Sequence, residues 1–188
     1  SGVSHFLPFV IGGGILTAMA YLLDVANSSA ATFGSSTPLC AWLLNVGGAA
    51  MSFMFPILAG YIAYAIGDRP ALLLGIVSGV LARDGGSGFL GAILGGFAGG
   101  YIILGLKKAC AGLPRSLEGI KTLLIFPIAG LLIASLAMVA VNALVEPINS
   151  GLTGFLQSLG GTNAVILGAV IGVMLALDLG GPINKTAY

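Results

Sequence analysis

No Asp, Glu, Lys or Arg stands between Asp24 and Asp68, and none between Glu146 and Asp178. The seven basic and six acidic side chains of this 188-residue chain gather instead at Asp24, Asp68–Arg69, Arg83–Asp84, Lys107–Lys121, Glu146 and Asp178–Lys185. A soluble domain is about a quarter charged and spreads its charges over a wetted surface. At 7 % charged and 57 % hydrophobic, with a mean hydropathy of +1.09, this chain has too little polar surface to cover a water-facing exterior. A bilayer removes that need, so the expected fold is an all-α polytopic membrane protein surrounded by lipid.

A spanning helix takes about 20 mostly apolar residues. Residues 7–25, 89–106 and 122–145 meet that length. Residues 38–67 are too long for one upright span. A break at Asn45-Val46-Gly47-Gly48 or Pro56 would divide them into an interfacial helix and a span over 49–66. Residues 70–82 suit a half-helix or a short packed span, and 164–177 a last apolar helix. Residues 147–159 alternate Asn149, Ser150, Thr153, Gln157 and Ser158 with Ile148, Leu152, Phe155, Leu156 and Leu159, the pattern of an interfacial amphipathic helix. The sequence thus predicts about five to six transmembrane or half-spanning helices with one or two interfacial ones. One membrane domain, 1–188, would divide into the first helices and a Gly-rich hairpin (1–106), a basic loop (107–121) and the helices leading to the carboxyl-terminal polar segment (122–188). Lys107, Lys108, Arg115 and Lys121 share that loop with one acid, Glu118, which puts it on the cytoplasmic side by the positive-inside rule. Arg69 then falls on the same side and Arg83 opposite.

Thirty-one glycines exceed what turns require. Gly91, Gly95 and Gly99 recur every fourth residue, as do Gly96 with Gly100 and Gly168 with Gly172. Such rows let helix backbones approach closely, for static packing or as a sliding face. Gly12-Gly13-Gly14 inside the first span weakens that helix, so something should pack there or bend there.

The richest polar segment is Asp178-Leu179-Gly180-Gly181-Pro182-Ile183-Asn184-Lys185, where Gly-Gly-Pro ends an apolar helix amid a carboxylate, an amide and an ammonium. Irregular backbone at membrane depth survives only where protein buries it or where it lines a wet cavity, and broken helices of this kind hold substrates in transporters. The plain alternative is an exit loop with a flanking lysine. Arg83-Asp84-Gly85-Gly86-Ser87-Gly88 is the second candidate, either a turn between short helices or a polar tip offering Asp84 and Ser87 to a cavity. His5 reads as a membrane-edge residue rather than a phosphoryl acceptor. Cys40 and Cys110 read as packed thiols. No nucleophile–base pair, metal-ligand cluster, phosphate loop or dinucleotide fingerprint appears, so neither a catalytic residue, a metal nor a cofactor is expected. A net charge of +1 offers no footprint for nucleic acid. A passive channel, an ion-coupled transporter using Asp178 and a small-residue packing subunit remain open on these residues alone.

Residues 1–14, from Ser1-Gly2-Val3-Ser4-His5-Phe6-Leu7-Pro8 to Gly12-Gly13-Gly14, resemble the opening of enzyme IIC, the membrane subunit of fructose-family bacterial sugar phosphotransferase systems. So do Pro56-Ile57-Leu58-Ala59-Gly60-Tyr61 with Asp68-Arg69-Pro70, Ser87-Gly88-Phe89-Leu90-Gly91, Gly161-Thr162-Asn163-Ala164 and, most specifically, Asp178 to Lys185. The resemblance implies a multi-pass protein of the bacterial inner membrane that binds a fructose-type sugar outside and carries it inward for phosphorylation by the phospho-cysteine of an enzyme IIB. It implies a homodimer, and a substrate site including Asp178, Gly180, Gly181, Pro182, Asn184 and Lys185, with Asp84 and Ser87 as further candidates. Cys40 and Cys110 lack the Cys-Pro setting of an enzyme IIB site, and the family's later Gly-Ile-Thr-Glu segment does not occur. The resemblance therefore covers roughly the first half of such a subunit, and the exact sugar among fructose, mannose and mannosylglycerate stays open.

Overall fold

In a computed structural model, residues 2–28, 32–112, 114 and 118–160 are described, and nearly all lie in helices. The order is α1 (Gly2–Leu23), α2 (Pro38–Ser52), α3 (Met54–Gly67), α4 (Arg69–Asp84), α5 (Gly88–Ala109), a single turn α6 (Glu118–Ile120), a π-helical run over Lys121–Ile125, and α7 (Phe126–Gly160). Among the described residues four helical segments are long and apolar enough to cross a bilayer: Ser4–Leu23, Pro38–Gly67, Gly88–Ala109 and Glu118–Phe155. At 16 residues α4 is about 24 Å long. That is shorter than the ~30 Å hydrocarbon core, as the 70–82 stretch suggested. The chain is a helical membrane protein.

Two boundaries differ from expectation. The long 38–67 segment breaks at Phe53, three residues before Pro56, the second of the two expected break points, and not at Asn45–Gly48. Gly47 sits inside α2, buried against α1. A methyl group added there would meet Thr17 Oγ1 at 2.5 Å and Gly13 carbonyl oxygen at 2.8 Å. Glycine here permits a close helix crossing instead of ending a helix, and Gly13 of the first-span triplet packs reciprocally while Gly12 and Gly14 face open space. Pro56 falls in the first turn of α3, where its missing N–H costs no helical bond. The second difference is α7. It runs unbroken through Pro147, joining what the pattern read as a span (122–145) and a separate interfacial helix (147–159). Pro147 withholds one amide hydrogen from the helix, which a membrane helix tolerates without ending.

The α3–α4–α5 trio forms the tightest part of the bundle. Gly91, Gly95 and Gly99 of α5 face Ala82, Ser78 and Leu74–Gly75 of α4, while Gly96 and Gly100 face Ala59, Ile62 and Ile66 of α3. Gly75 and Gly79 of α4 lie directly on the α3 backbone. Leu58, Ala59, Ala92 and Met138 fill one buried cluster, and Ala63, Leu74, Ile103 and Phe126 another. Cys40 and Cys110 are buried free thiols, as expected. His5 stacks on Tyr61 with ring centroids 3.8 Å apart. The turn from α3 into α4 is one residue, Asp68, at φ 60° and ψ −158°, a strained region for any residue with a Cβ. Lys107 Nζ holds it, donating to Asp68 Oδ2 and to Gly67 O, each at 2.9 Å. Arg69 and Lys107 thus share one end of the bundle, with Arg83 at the far end of α4, matching the alternation of loop charges.

Asp24 directly follows the last residue of α1 and does more than end that helix. Its carboxylate is almost wholly buried and gathers the returning loop, accepting from Asn27 Nδ2 (2.8 Å), Gly34 N (2.6 Å), Ser36 N (3.1 Å) and Ser36 Oγ (2.7 Å). The Asn27 amide, followed by the Ser36 and Gly34 donors, outweighs burial and lowers the Asp24 pKa from 3.8 to about 2. A depressed carboxylate contributes stability above its unfolded pKa and loses it as pH falls through the folded one. The 24–36 loop is therefore expected to hold from neutral pH down to about 4 and to open between about 4 and 2. Hydrogen–deuterium exchange at Gly34 and Ser36 measures this. Asp24→Asn should exchange fast already at pH 7 and show no acid transition.

Candidate functional site

The loop between α4 and α5 carries those predicted site residues that fall in the described structure. Gly86 (φ 74°) and Gly88 (φ 55°) adopt left-handed backbone that a Cβ disfavours, which lets the chain reverse over residues 85–87. The tip is docked on α7. Ser87 Oγ donates to Asn142 Oδ1 at 2.6 Å, and Asn142 Nδ2 donates to Leu81 O at 3.0 Å. Asn149 Nδ2 donates to Gly86 O at 2.9 Å. Asn142, Glu146 and Asn149 follow at i, i+4 and i+7, one face of the helix. Glu146 lies against Gly86 and accepts from Ser150 Oγ at 2.5 Å.

The two candidates in this loop have different surroundings. Ser87 is 1 % exposed and its hydroxyl is engaged by α7. Asp84 is exposed, and its Oδ1 accepts from Arg83 Nε at 2.8 Å. Arg83 Nη1 also reaches Ser52 O at 3.4 Å, across to the α2–α3 break. The loop joins three helical elements through uncharged hydrogen bonds and leaves carboxylates at Asp84 and Glu146 exposed beside it. Such groups can bind hydroxyls. Among the described residues no His, Cys, Asp and Glu side chains cluster so as to hold a metal ion. Asp178, Gly180, Gly181, Pro182, Asn184 and Lys185 lie outside the described residues, as do the 164–177 stretch and the Gly168–Gly172 pair.

Asn142 is the residue that pattern reading passed over. It lies inside the 122–145 apolar stretch, and its one signal, the spacing from Glu146 and Asn149, is hidden when Pro147 is read as a boundary.

The family model for the phosphotransferase system, EIIC, matches residues 1–188. The chain belongs to that family. Among its relatives, the fructose-specific EIIABC component of Bacillus subtilis (strain 168) is 41 % identical over 190 residues, covering 100 % of this chain and 30 % of that protein. The fructose-specific EIIB'BC component of Rhodobacter capsulatus is 46 % identical over 190 residues, covering 100 % and 32 %. Fructose-like permease IIC component 2 of Escherichia coli K12 is 36 % identical over 189 residues, covering 100 % and 52 %. The chain therefore spans about a third to a half of the length of these EIIC relatives. No solved structure matches it.

Proposed function

We propose that this EIIC chain is the sugar-translocating membrane part of a phosphoenolpyruvate-dependent phosphotransferase system, binding a fructose-type sugar and carrying it inward for phosphorylation by an enzyme IIB. The end-to-end match to relatives named fructose-specific carries the reading. Their composite EIIABC and EIIB'BC names supply the partner, an enzyme IIB in the same or a separate chain. The setting proposed is the bacterial inner membrane, with the Lys107–Lys121 loop cytoplasmic and two copies forming a dimer.

The sugar ligands proposed are Asp178, Asn184 and Lys185 around Gly180-Gly181-Pro182. A carboxylate and an ammonium make charge-assisted hydrogen bonds to hydroxyls, roughly twice as strong as neutral ones. Asp84 adds a further carboxylate, and Ser87 contributes by fixing the loop that bears it. The test is uptake of labelled fructose in cells lacking their own carrier. Accumulation as sugar phosphate that stops when enzyme IIB is deleted supports the reading. Accumulation of unmodified sugar, or uptake that follows a proton or sodium gradient, overturns it. Lys185→Ala should lower uptake about tenfold and Asn184→Ala about fivefold at unchanged membrane content, since a hydrogen bond to a charged group is worth about 1.5–3 kcal/mol and a neutral one about 1 kcal/mol. Unchanged uptake in both removes them from the site.

A further inference from the structure

At the end of the bundle that carries Lys107, a cleft of about 300 Å³ opens between Pro70, Lys107, Glu118, Lys121, Thr122 and Phe126. Its lining combines the buried Phe126 ring with two lysines from different elements and one carboxylate, Glu118. Lys107 is held by its two 2.9 Å bonds to Gly67 O and Asp68 Oδ2, which leave one of its three N–H donors for a ligand. Lys121 is half-buried, and its side chain makes no hydrogen bond or ion pair with the described residues. It stands at the start of the π-helical run, the kind of irregular turn that recurs at functional sites. Thr122 Oγ1 donates to Glu118 O at 2.8 Å within the same turn.

Charge and surroundings narrow the occupant. Among the described residues 68–121, Arg69, Lys107, Lys108 and Lys121 outnumber Asp68 and Glu118 at this end of the bundle, which leaves a cationic surplus there. Lys107 is partly neutralised by Asp68; of the cleft's other charged groups, Lys121 and Glu118, neither forms an ion pair among the described residues. Directly beside the cleft, Ile120, Leu123 and Leu124 are exposed on the outer surface, Leu123 by 77 %. A ligand that satisfies both features is anionic at one end and apolar beside it. Basic pockets at the membrane-facing ends of helices hold lipid phosphates in this way.

We propose that this cleft binds the phosphodiester headgroup of an anionic phospholipid. Lys121 and the remaining Lys107 donor contact the phosphate, and the acyl chains lie along Ile120, Leu123 and Leu124. The proposal is independent of the sugar reading, because it concerns the opposite end of α4 from Asp84. A lipid held there would brace the α6–α7 junction against the α3–α4 turn.

The protein is purified in detergent, stripped of lipid, and titrated with dimyristoyl phosphatidylglycerol, dimyristoyl phosphatidylcholine or inorganic phosphate while native mass spectrometry counts bound molecules. Phosphatidylglycerol should be retained in preference to phosphatidylcholine. Lys121→Gln should weaken that retention about fivefold, the worth of one lysine near an anionic lipid surface. Lys121→Arg should restore it, and Lys108→Gln, which does not line the cleft, should leave it unchanged. Lys121→Gln is the decisive variant, because Lys107 also secures the α3–α4 turn and its replacement risks the fold. Equal retention of the two lipids, or equal weakening by Lys108→Gln, overturns the proposal. So does inorganic phosphate displacing the lipid at millimolar concentration, which would make the cleft a site for a small soluble anion. If Lys121→Gln instead weakens binding of the phosphorylated cytoplasmic partner while leaving lipid retention intact, the cleft is a protein contact and the lipid assignment is wrong.

Discussion

Gly79→Leu is expected to abolish the folded bundle, and Gly79→Ala to destabilise it by about 2 kcal/mol, a typical cost of overpacking. A methyl group at Gly79 would lie 2.5 Å from the Phe55 carbonyl oxygen and 2.6 Å from Pro56 Cα. Both are backbone atoms and cannot swing aside as a flexible side chain would. Proline at position 56 stiffens the segment that would have to retreat. Alanine gains about 1 kcal/mol of helix propensity over glycine, so the steric penalty has to exceed the observed loss. Gly12→Ala supplies the control, since nothing lies within 4 Å of a Cβ there and only the propensity gain remains. Cys40 and Cys110 are buried, so a thiol-reactive dye reports unfolding as temperature rises. The midpoint should fall for Gly79→Ala and rise or hold for Gly12→Ala. Equal shifts in the two variants would mean that the α3–α4 contact is not as close as described.

Asn142→Ala is expected to cost about 2 kcal/mol by removing two hydrogen bonds at once, each worth about 1 kcal/mol. The Ser87 hydroxyl loses its 2.6 Å acceptor and falls back on the longer 3.3 Å contact to Ala82 O. The Leu81 carbonyl loses its 3.0 Å side-chain donor and keeps only the Gly85 N–H at 2.9 Å. Ser87→Ala alone should cost less, and the double variant should fall short of the sum by about 1 kcal/mol, consistent with coupling between hydrogen-bonded helices in membranes. The same dye assay gives the energies. Hydrogen exchange over residues 85–88 should accelerate in Asn142→Ala before the rest of the bundle loosens. Strict additivity would mean that the two side chains do not share a bond.

Much of the architecture was legible from charge spacing. The gaps between Asp24 and Asp68 and around 89–106 set helices in lipid, and the family resemblance carried by Pro56–Tyr61 and Ser87–Gly91 is met by the family match along the whole chain. The α5 glycine rows were legible as packing surfaces, because a four-residue repeat has a clear physical use between helices. What escaped the pattern depends on three-dimensional partners. Gly47 looks like a helix breaker until Gly13 is seen pressed against it, and the break falls instead at Phe53, just ahead of Pro56. Pro147 looks like a boundary because its cost is local while the packing that carries α7 past it is not. The loop-gathering role of Asp24 escapes the pattern because its four donors come from residues as far as Ser36. Ser87 and Asp84 could be nominated together from sequence, yet one is buried against Asn142 and the other exposed. Neighbours in a loop share a turn but not an environment.

The shortness of α4 bears on how the protein is made. At about 24 Å it is too brief to settle in the bilayer by partitioning alone, and its glycine edge at Gly75 and Gly79 offers lipid almost no side chain to solvate. That edge rests on α3, synthesised before it, while its other faces pack on α5 and α7, synthesised after it. During translation α4 is therefore expected to lean on α3 first and to gain its full set of neighbours only when α5 and α7 arrive.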